Sequence, residues 1–111
     1  MNIANLRIRI TIQKLIETED EIGNSIASWT DYFTCWASAA AGRESEETEE
    51  ATTPVDRERV DFTVRYSKET ASVTAKEHRI VFGDRVYDIL VVDDMGFRHK
   101  SLKFQTERRI R

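Results

Sequence analysis

Apolar and polar residues alternate at the start of the chain, and this alternation is its clearest structural signal. Leu6, Ile8, Ile10 and Ile12 are separated by Arg7, Arg9 and Thr11, and the pattern ends at Gln13. A period of two over eight residues is typical of a β-strand with one buried face. The pattern therefore predicts a first strand over residues 6–13 whose arginines point away from the core.

Three further strands and a hairpin follow from similar patterns. A segment at about 28–41 is rich in aromatic residues, as strands are. Residues 55–66 place apolar side chains on one face, namely Val60, Phe62, Val64 and Tyr66. Residues 80–82 and 85–92 flank Gly83-Asp84, a loop suited to a two-residue β-hairpin. A last strand covers residues 102–106. Polar segments at 17–25 and 93–96 predict turns.

Six strands in one short chain predict a mainly β protein with a single domain over residues 1–111. No long amphipathic helix is apparent, and the polar connection at 67–78 predicts at most a short helical turn. A flat sheet of six strands would leave two exposed edges, whereas closure removes them. We therefore predict a small antiparallel β-barrel.

Two charged segments stand apart from the strands. Residues 43–54 contain five glutamates and no apolar residue larger than alanine, which predicts an exposed acidic loop that ends at Pro54. Residues 107–111 form a basic segment, which we predict to be a mobile tail. Residues 1–61 hold 13 acidic and 6 basic side chains, and residues 62–111 hold 7 and 11. Copies arranged head to tail could use this polarity, although a normally solvated surface is the more common origin of such a pattern.

The composition narrows the class of protein further. Apolar residues make up 40% of the chain and charged residues 33%, as in a soluble globular protein with a heavily charged exterior. Cys35 is the only cysteine, so no intramolecular disulfide can form and a reducing compartment is expected. No apolar run has the length of a signal peptide core or a membrane span. We expect a protein made in a cytoplasm that does not bind a membrane.

The sequence offers little for catalysis. His78, His99, Asp93, Asp94 and Cys35 are candidate reactive groups, but they form no known catalytic or zinc-binding spacing. The chain also lacks a glycine-rich phosphate loop and a nucleophile elbow. Both histidines are predicted to lie at the surface. We predict no enzymatic activity, no metal site and no cofactor.

Candidate interface residues can be named from the same patterns. The strand arginines Arg7, Arg9, Arg65 and Arg79 and the tail arginines Arg108, Arg109 and Arg111 could pair with acids of another subunit. Such arginines are also common on solvated strand faces, where surface ion pairs contribute little. Trp29 and Trp36 could anchor an interface, since tryptophan is enriched at binding hot spots. For Trp36, packing inside the barrel is the favoured interpretation.

The order and spacing of these segments resemble the phage head–tail adaptor family, also called head–tail joining or head-closure proteins. The resemblance runs from about Leu6 to Phe104. It is carried by six short segments, in chain order Arg9-Ile10-Thr11-Ile12-Gln13, Trp36-Ala37, Gly42-Arg43-Glu44, Phe62-Thr63-Val64-Arg65-Tyr66, Arg79-Ile80 with Gly83, and Tyr87-Asp88-Ile89. The chain departs from the family pattern in its very acidic segment 44–50 and its longer 67–78 connection.

The resemblance implies a structural role in a virion. Proteins of this family are small β-barrels that assemble as a ring beneath the portal, extend the channel for genome DNA and join the head to the tail. The implied partners are the portal or adaptor ring, tail proteins and further copies of this chain, in the virion neck. Double-stranded DNA would pass through without sequence-specific binding. We expect Glu44, Glu46, Glu47, Glu49 and Glu50 to face that channel or a neighbouring subunit, because carboxylates repel DNA whereas lysine and arginine bind it.

Two other functions remain open from the sequence. A tail-completion or tail-terminator protein would also be a small ring-forming β protein. A nucleic-acid-binding barrel would set aromatic residues among basic ones, but here most aromatic residues fall on predicted core faces.

Overall fold

A computed structural model describes residues 7–42, 57–96 and 98–109. The predicted acidic loop at 43–54, with its five glutamates, lies outside these residues, as do Arg111 and the other end residues. Six strands and one short helix are present. They are β1 (Ile8–Glu19), β2 (Ser25–Ala41), β3 (Arg57–Arg65), α1 (Lys68–Ala71), β4 (His78–Phe82), β5 (Arg85–Asp93) and β6 (Ser101–Arg109).

All neighbouring strands are antiparallel, and the sheet closes on itself in the order β1-β2-β3-β6-β5-β4. The predicted mainly β fold and the antiparallel barrel are confirmed. The β4–β5 hairpin turns at Gly83-Asp84, where Gly83 has a φ of 64°. The predicted short helical turn is α1, capped by the side chain of Ser67, which accepts a hydrogen bond from the Thr70 N–H.

The interior is filled by the apolar face of each strand. β1 contributes Ile10 and Ile12, and β3 contributes Phe62 and Val64, all less than 2% exposed. The other buried apolar residues are Ala37, Val73, Ile80, Tyr87, Ile89, Leu102 and Phe104. The Phe62 ring meets the rings of Tyr87 and Phe82 edge to face, with centroids 5.1 and 6.5 Å apart. The alternation of apolar positions thus identified the core face of β1 and β3 correctly.

Two strands extend further than their patterns indicated. β1 continues to Glu19 and β2 begins at Ser25, so residues 17–19 and Ser25, expected to be turn, are paired strand. The turn itself is confined to residues 20–24, where the Asp20 carboxylate accepts hydrogen bonds from the Ile22 and Asn24 amides at 3.0 and 2.7 Å. The polar composition of this stretch reflects its exposure to solvent. It does not indicate a loss of pairing between β1 and β2.

The prediction of a mobile basic tail is wrong for residues 107–109. They are the last residues of β6 and pair with the first residues of β3, with Arg109 opposite Arg57. These residues are ordered as strand because β3 supplies backbone partners for the end of β6. The charged side chains alone do not indicate this pairing.

The prediction that His78 lies at the surface is also wrong, because its side chain is only 4% exposed. The Thr74 amide donates to His78 Nδ1 at 3.0 Å, and the Tyr32 ring packs edge-on with its centroid 5.2 Å away. A neutral ring that accepts at Nδ1 carries its proton on Nε2. Burial lowers the pKa of His78, Lys14 lowers it further, and the Thr74 contact and Glu77 oppose this shift. His99 is exposed, as predicted, and stacks on Tyr66.

We predict that stability falls as the pH falls through the unfolded-state pKa of histidine, about 6.5. The folded pKa of His78 lies below the unfolded value, so the unfolded chain takes up the proton first and is favoured by acid. Urea unfolding between pH 7.5 and 5.5 should show this loss, and His78→Gln should flatten it. The matched variant His99→Gln should retain the loss. An unchanged slope in His78→Gln would contradict the assignment.

Candidate functional site

A two-stranded hairpin projects from the barrel and forms the first of three surface features. β4 pairs with β1 only at Thr11–Lys14, and β3 pairs with β2 only at Ala37–Ala41. Beyond Lys14, β1 pairs with β2 alone, and we call residues 15–29 the hairpin arm. The radius of gyration is 15.7 Å, whereas about 13 Å is expected for a compact chain of this length. The projecting arm accounts for part of that difference.

The hairpin arm carries an unusual combination of side chains. It holds four acidic residues and no lysine or arginine, the acids being Glu17, Glu19, Asp20 and Glu21. Its tip also presents Ile22, which is 81% exposed, and Ile26 is 46% exposed. Isolated two-stranded hairpins are marginally stable in water. The two isoleucines add exposed apolar side chains to this otherwise polar element.

Arginine–tryptophan pairs line the outer face of β1 and its neighbours. The Arg9 guanidinium lies 5.2 Å from the centre of the Trp36 ring, which is directly opposite it across the β1–β2 ladder. The Arg79 guanidinium lies 4.4 Å from the Trp29 ring and donates to Gln13 Oε1 at 2.8 Å. Both contacts have the geometry of a cation–π interaction.

The prediction that Trp36 packs in the core is wrong, because the side chain is 50% exposed. Ala37 is fully buried, and its neighbour on a strand must face the other way. The ladder skips Tyr32 between the Ile12–Phe33 and Gln13–Asp31 pairs, which changes the phase of β2. Without this irregularity, the aromatic residues of β2 could not be assigned to faces from the sequence.

A cavity of 430 Å³ opens where β2 and β3 part, and we call it the β2 cavity. It is lined by Arg9, Phe33, Thr34, Cys35, Trp36, Arg65 and Ser67. It exists because β3 pairs with β2 no further than Ala37, so residues 33–36 of β2 lack a β3 partner. Burial raises the pKa of Cys35 to about 11, against a lowering effect of Arg9. The Cys35 thiol therefore stays protonated at neutral pH and adds apolar surface to the cavity instead of a nucleophile.

The third feature is a basic barrel end, opposite the end from which the hairpin arm projects. The arginines there are Arg57, Arg59, Arg85, Arg108 and Arg109. Arg108 Nε donates to Glu58 Oε1 at 2.8 Å, and this bond is the main cause of the lowered pKa of Glu58. Glu107 lies 3.4–3.5 Å from Arg59 and Arg57. Among the described residues, these five arginines face four acids, namely Glu58, Glu107, Asp84 and Asp88, so this end carries an excess of one positive charge.

The structure separates the predicted interface residues into groups. Arg9, Arg65 and Trp36 meet at the β2 cavity, and Arg79 lies with Trp29 near the base of the hairpin arm. Arg108 and Arg109 belong to the basic barrel end. Arg7 is exposed beside β1, where its amide donates to the carbonyl of Ala37. Ile22 and Glu58 are not among the residues predicted from the sequence. Ile22 could have been identified from the sequence, because it is a single isoleucine between acidic residues and a turn glycine. The role of Glu58 becomes apparent only from the pairing of β3 with β6.

Two further findings concern chemistry. Among the residues with a described placement, no group of three or more histidine, cysteine, aspartate or glutamate side chains could hold a metal ion. Within the same part of the chain, no helix has the length and apolar character needed to cross a membrane. The features that stand out are apolar, cationic and acidic surfaces suited to contacts with other proteins.

The fold is a small closed β-barrel with exposed apolar, cationic and acidic side chains on its outer surface. The sequence profile of the family described as phage head completion protein matches residues 1–108, and the chain belongs to this family. It is therefore a structural protein of a phage head, located in the virion, and it associates with other phage head and tail proteins.

Two solved structures are similar over nearly their whole length. The solution structure of protein SF1141 from Shigella flexneri 2a is 30% identical, with 98% of this chain and 96% of that chain covered and a TM-score of 0.69. A chain in the virion of a native gene transfer agent particle is 23% identical, with 95% and 96% covered and a TM-score of 0.66. At that identity, the second match shows the fold alone. No curated protein matches the chain.

The exposed position of Trp36 leads to a stability prediction. Trp36→Ala should lower the free energy of unfolding by only about 1–2 kcal/mol, because the ring is half in water and one exposed cation–π contact is lost. Phe62→Ala, at a fully buried ring, should cost about 3–5 kcal/mol. Urea unfolding of both variants beside the parent chain measures the difference. Equal losses would mean that Trp36 belongs to the core.

Proposed function

We propose that this chain is a head–tail connector subunit, of the head-closure or adaptor type, that assembles as a ring beneath the portal. In this role it extends the DNA channel and joins the head to the tail in the virion neck. The observation that carries the proposal is the family match over residues 1–108. The fold shared with a chain of a gene transfer agent virion supports it.

The surface of the barrel supports assembly with other subunits. The acidic hairpin arm projects from one end of the barrel, and the exposed Arg9 and Arg65 lie at the β2 cavity on its side. Opposite charges on different surfaces of one molecule favour heterologous contacts between copies. The described surface also presents Trp36 and Trp29 beside arginines, the residue types enriched at protein interfaces. Both features suit a subunit that is buried on several sides in its finished state.

The acidic segment fits a position next to DNA. Gly42 and Arg57, the described residues nearest to this segment, both lie at the basic barrel end. Five glutamates per subunit, repeated around a ring, would repel the phosphate backbone and keep the duplex centred, since phosphate binding by cations would retain it. We propose that Glu44, Glu46, Glu47, Glu49 and Glu50 line the channel or touch a ring neighbour.

One observation favours a second candidate function. Trp36 is half exposed beside Arg9, and aromatic rings among basic side chains bind single-stranded nucleic acid in other small barrels. The acidic hairpin arm and the small number of such exposed rings weigh against it. Binding of single-stranded DNA by the purified chain, weakening with added salt, would support this alternative.

The connector role predicts a complex with the portal of the same phage. Electron microscopy of the purified chain mixed with portal rings should show added ring density on the tail-facing side, and cosedimentation should follow the portal and not tail tubes. Binding to tail tubes alone would favour the tail-completion or tail-terminator role instead. Absence of binding to either would contradict the proposal.

The channel role of the acidic segment predicts a change in DNA handling. Replacing all five glutamates with glutamine should alter DNA retention or release in assembled particles, because the repulsion between the lumen and the phosphates is lost. The matched control replaces Glu17 and Glu19 of the hairpin arm with glutamine, which removes acidic charge from an exposed surface elsewhere. DNA content and ejection can be measured by nuclease protection. Unchanged retention and release in the five-glutamine variant would reject a position in the channel.

A further inference from the structure

The lining of the β2 cavity is suited to bind an apolar side chain together with a neighbouring carboxylate. Phe33, Trp36 and the protonated Cys35 supply apolar walls, and Arg9 and Arg65 place positive charge among them. Its volume of 430 Å³ lies within the range of about 300–1,000 Å³ found for binding pockets. The Arg9 guanidinium lies over the Trp36 ring. Trp36 therefore forms one wall of the cavity and also holds the positive charge of Arg9 in place.

The tip of the hairpin arm offers the matching side chains. Ile22 is the most exposed of the large apolar residues in the described chain, and Glu21 precedes it. Asp20 holds the turn, because its carboxylate accepts hydrogen bonds from the amides of Ile22 and Asn24. Ile22 is therefore presented on a fixed turn, which lowers the entropy lost on binding. Glu21 is exposed and places a negative charge next to Ile22.

The tip cannot reach the cavity of its own chain. Nine residues of extended chain separate Asn24 from Phe33, which is roughly 30 Å at the rise of a β-strand. Pairing with β1 holds residues 25–31 in extended strand as far as the irregularity at Tyr32. Ile22 and the β2 cavity therefore lie far apart on one molecule. A contact between them has to join two different copies of the chain.

We propose that Ile22 and Glu21 of one copy insert into the β2 cavity of the next copy and so link successive subunits of the ring. Ile22 packs against Phe33 and Trp36, and Glu21 pairs with Arg65. The contact joins two different surfaces, so its repetition generates a ring when the rotation closes. This inference rests on the proposed connector role and adds the subunit contact to it.

Disulfide trapping in assembled virions tests the contact. The phage would encode a chain with Cys35→Ala, Ile22→Cys and Thr34→Cys, since Thr34 is exposed and lines the cavity. Mild oxidation should give a ladder of covalent multimers on a denaturing gel. The control moves the second cysteine to Val86 on β5, which is exposed and outside the cavity lining. We expect at least about tenfold more multimer with Thr34→Cys than with Val86→Cys, because only a formed contact holds two thiols at disulfide distance.

Exchanging the charges of Glu21 and Arg65 gives a second test. This test retains Ile22 and introduces no cysteine. Glu21→Arg and Arg65→Glu should each lower the yield of tailed particles about fivefold, and the double variant should restore it, as for a coupled ion pair. Urea unfolding of the three purified chains should be unchanged, because both side chains are exposed.

The outcomes separate this inference from the connector role. Virions that contain the chain but show no ladder above the Val86 control, or a double variant no better than the single ones, would overturn the docking contact and leave the connector role standing. Virions that lack the chain would overturn both.

Discussion

Closure of the sheet is the constraint on which the rest of the structure depends. Each strand must give one face to a narrow interior, and no outer strand remains to terminate the sheet. Ile10, Ile12, Phe62, Val64 and Phe104 meet there with almost no exposure. Close packing of these side chains fixes the register of every strand, since a slip of one residue would turn each of them to the solvent.

The outer face is free of that constraint and differs sharply from one end to the other. At one end the barrel finishes in arginines that are only partly balanced by Glu58 and Glu107. At the other end β1 and β2 continue beyond their neighbours as an acidic hairpin arm. Charged surfaces of both signs on different parts of one molecule are suited to contacts with oppositely charged partners. The phage head completion family, to which the chain belongs, is consistent with that character.

The same feature of the ladder produces both the hairpin arm and the β2 cavity. β2 has 17 residues but shares only five of them with β3, so the barrel is closed over part of its height and open beyond. The open part leaves an unpaired stretch of β2 beside Trp36 and Arg65 and lets the arm leave the barrel. Exposed strand edges are a hazard in a monomer. They become useful in an assembly, where a neighbouring subunit covers them.

The sequence by itself determined the strand-rich composition, the core faces of β1 and β3, the β4–β5 hairpin and the acidic character of segment 43–54. These follow from local periodicity and turn chemistry, which depend only on residues close in the chain. It also carried the family resemblance, because the order and spacing of segments are properties of the chain alone.

Tertiary structure decided the orientation of Trp36, the burial of His78, the inclusion of residues 107–109 in β6 and the existence of the β2 cavity. Each depends on which strand lies beside which, and on one skipped residue at Tyr32 that shifts the phase of β2. Local sequence cannot specify these features, because a side chain's face is set by the partner strand's register and by the point at which pairing between two distant segments stops.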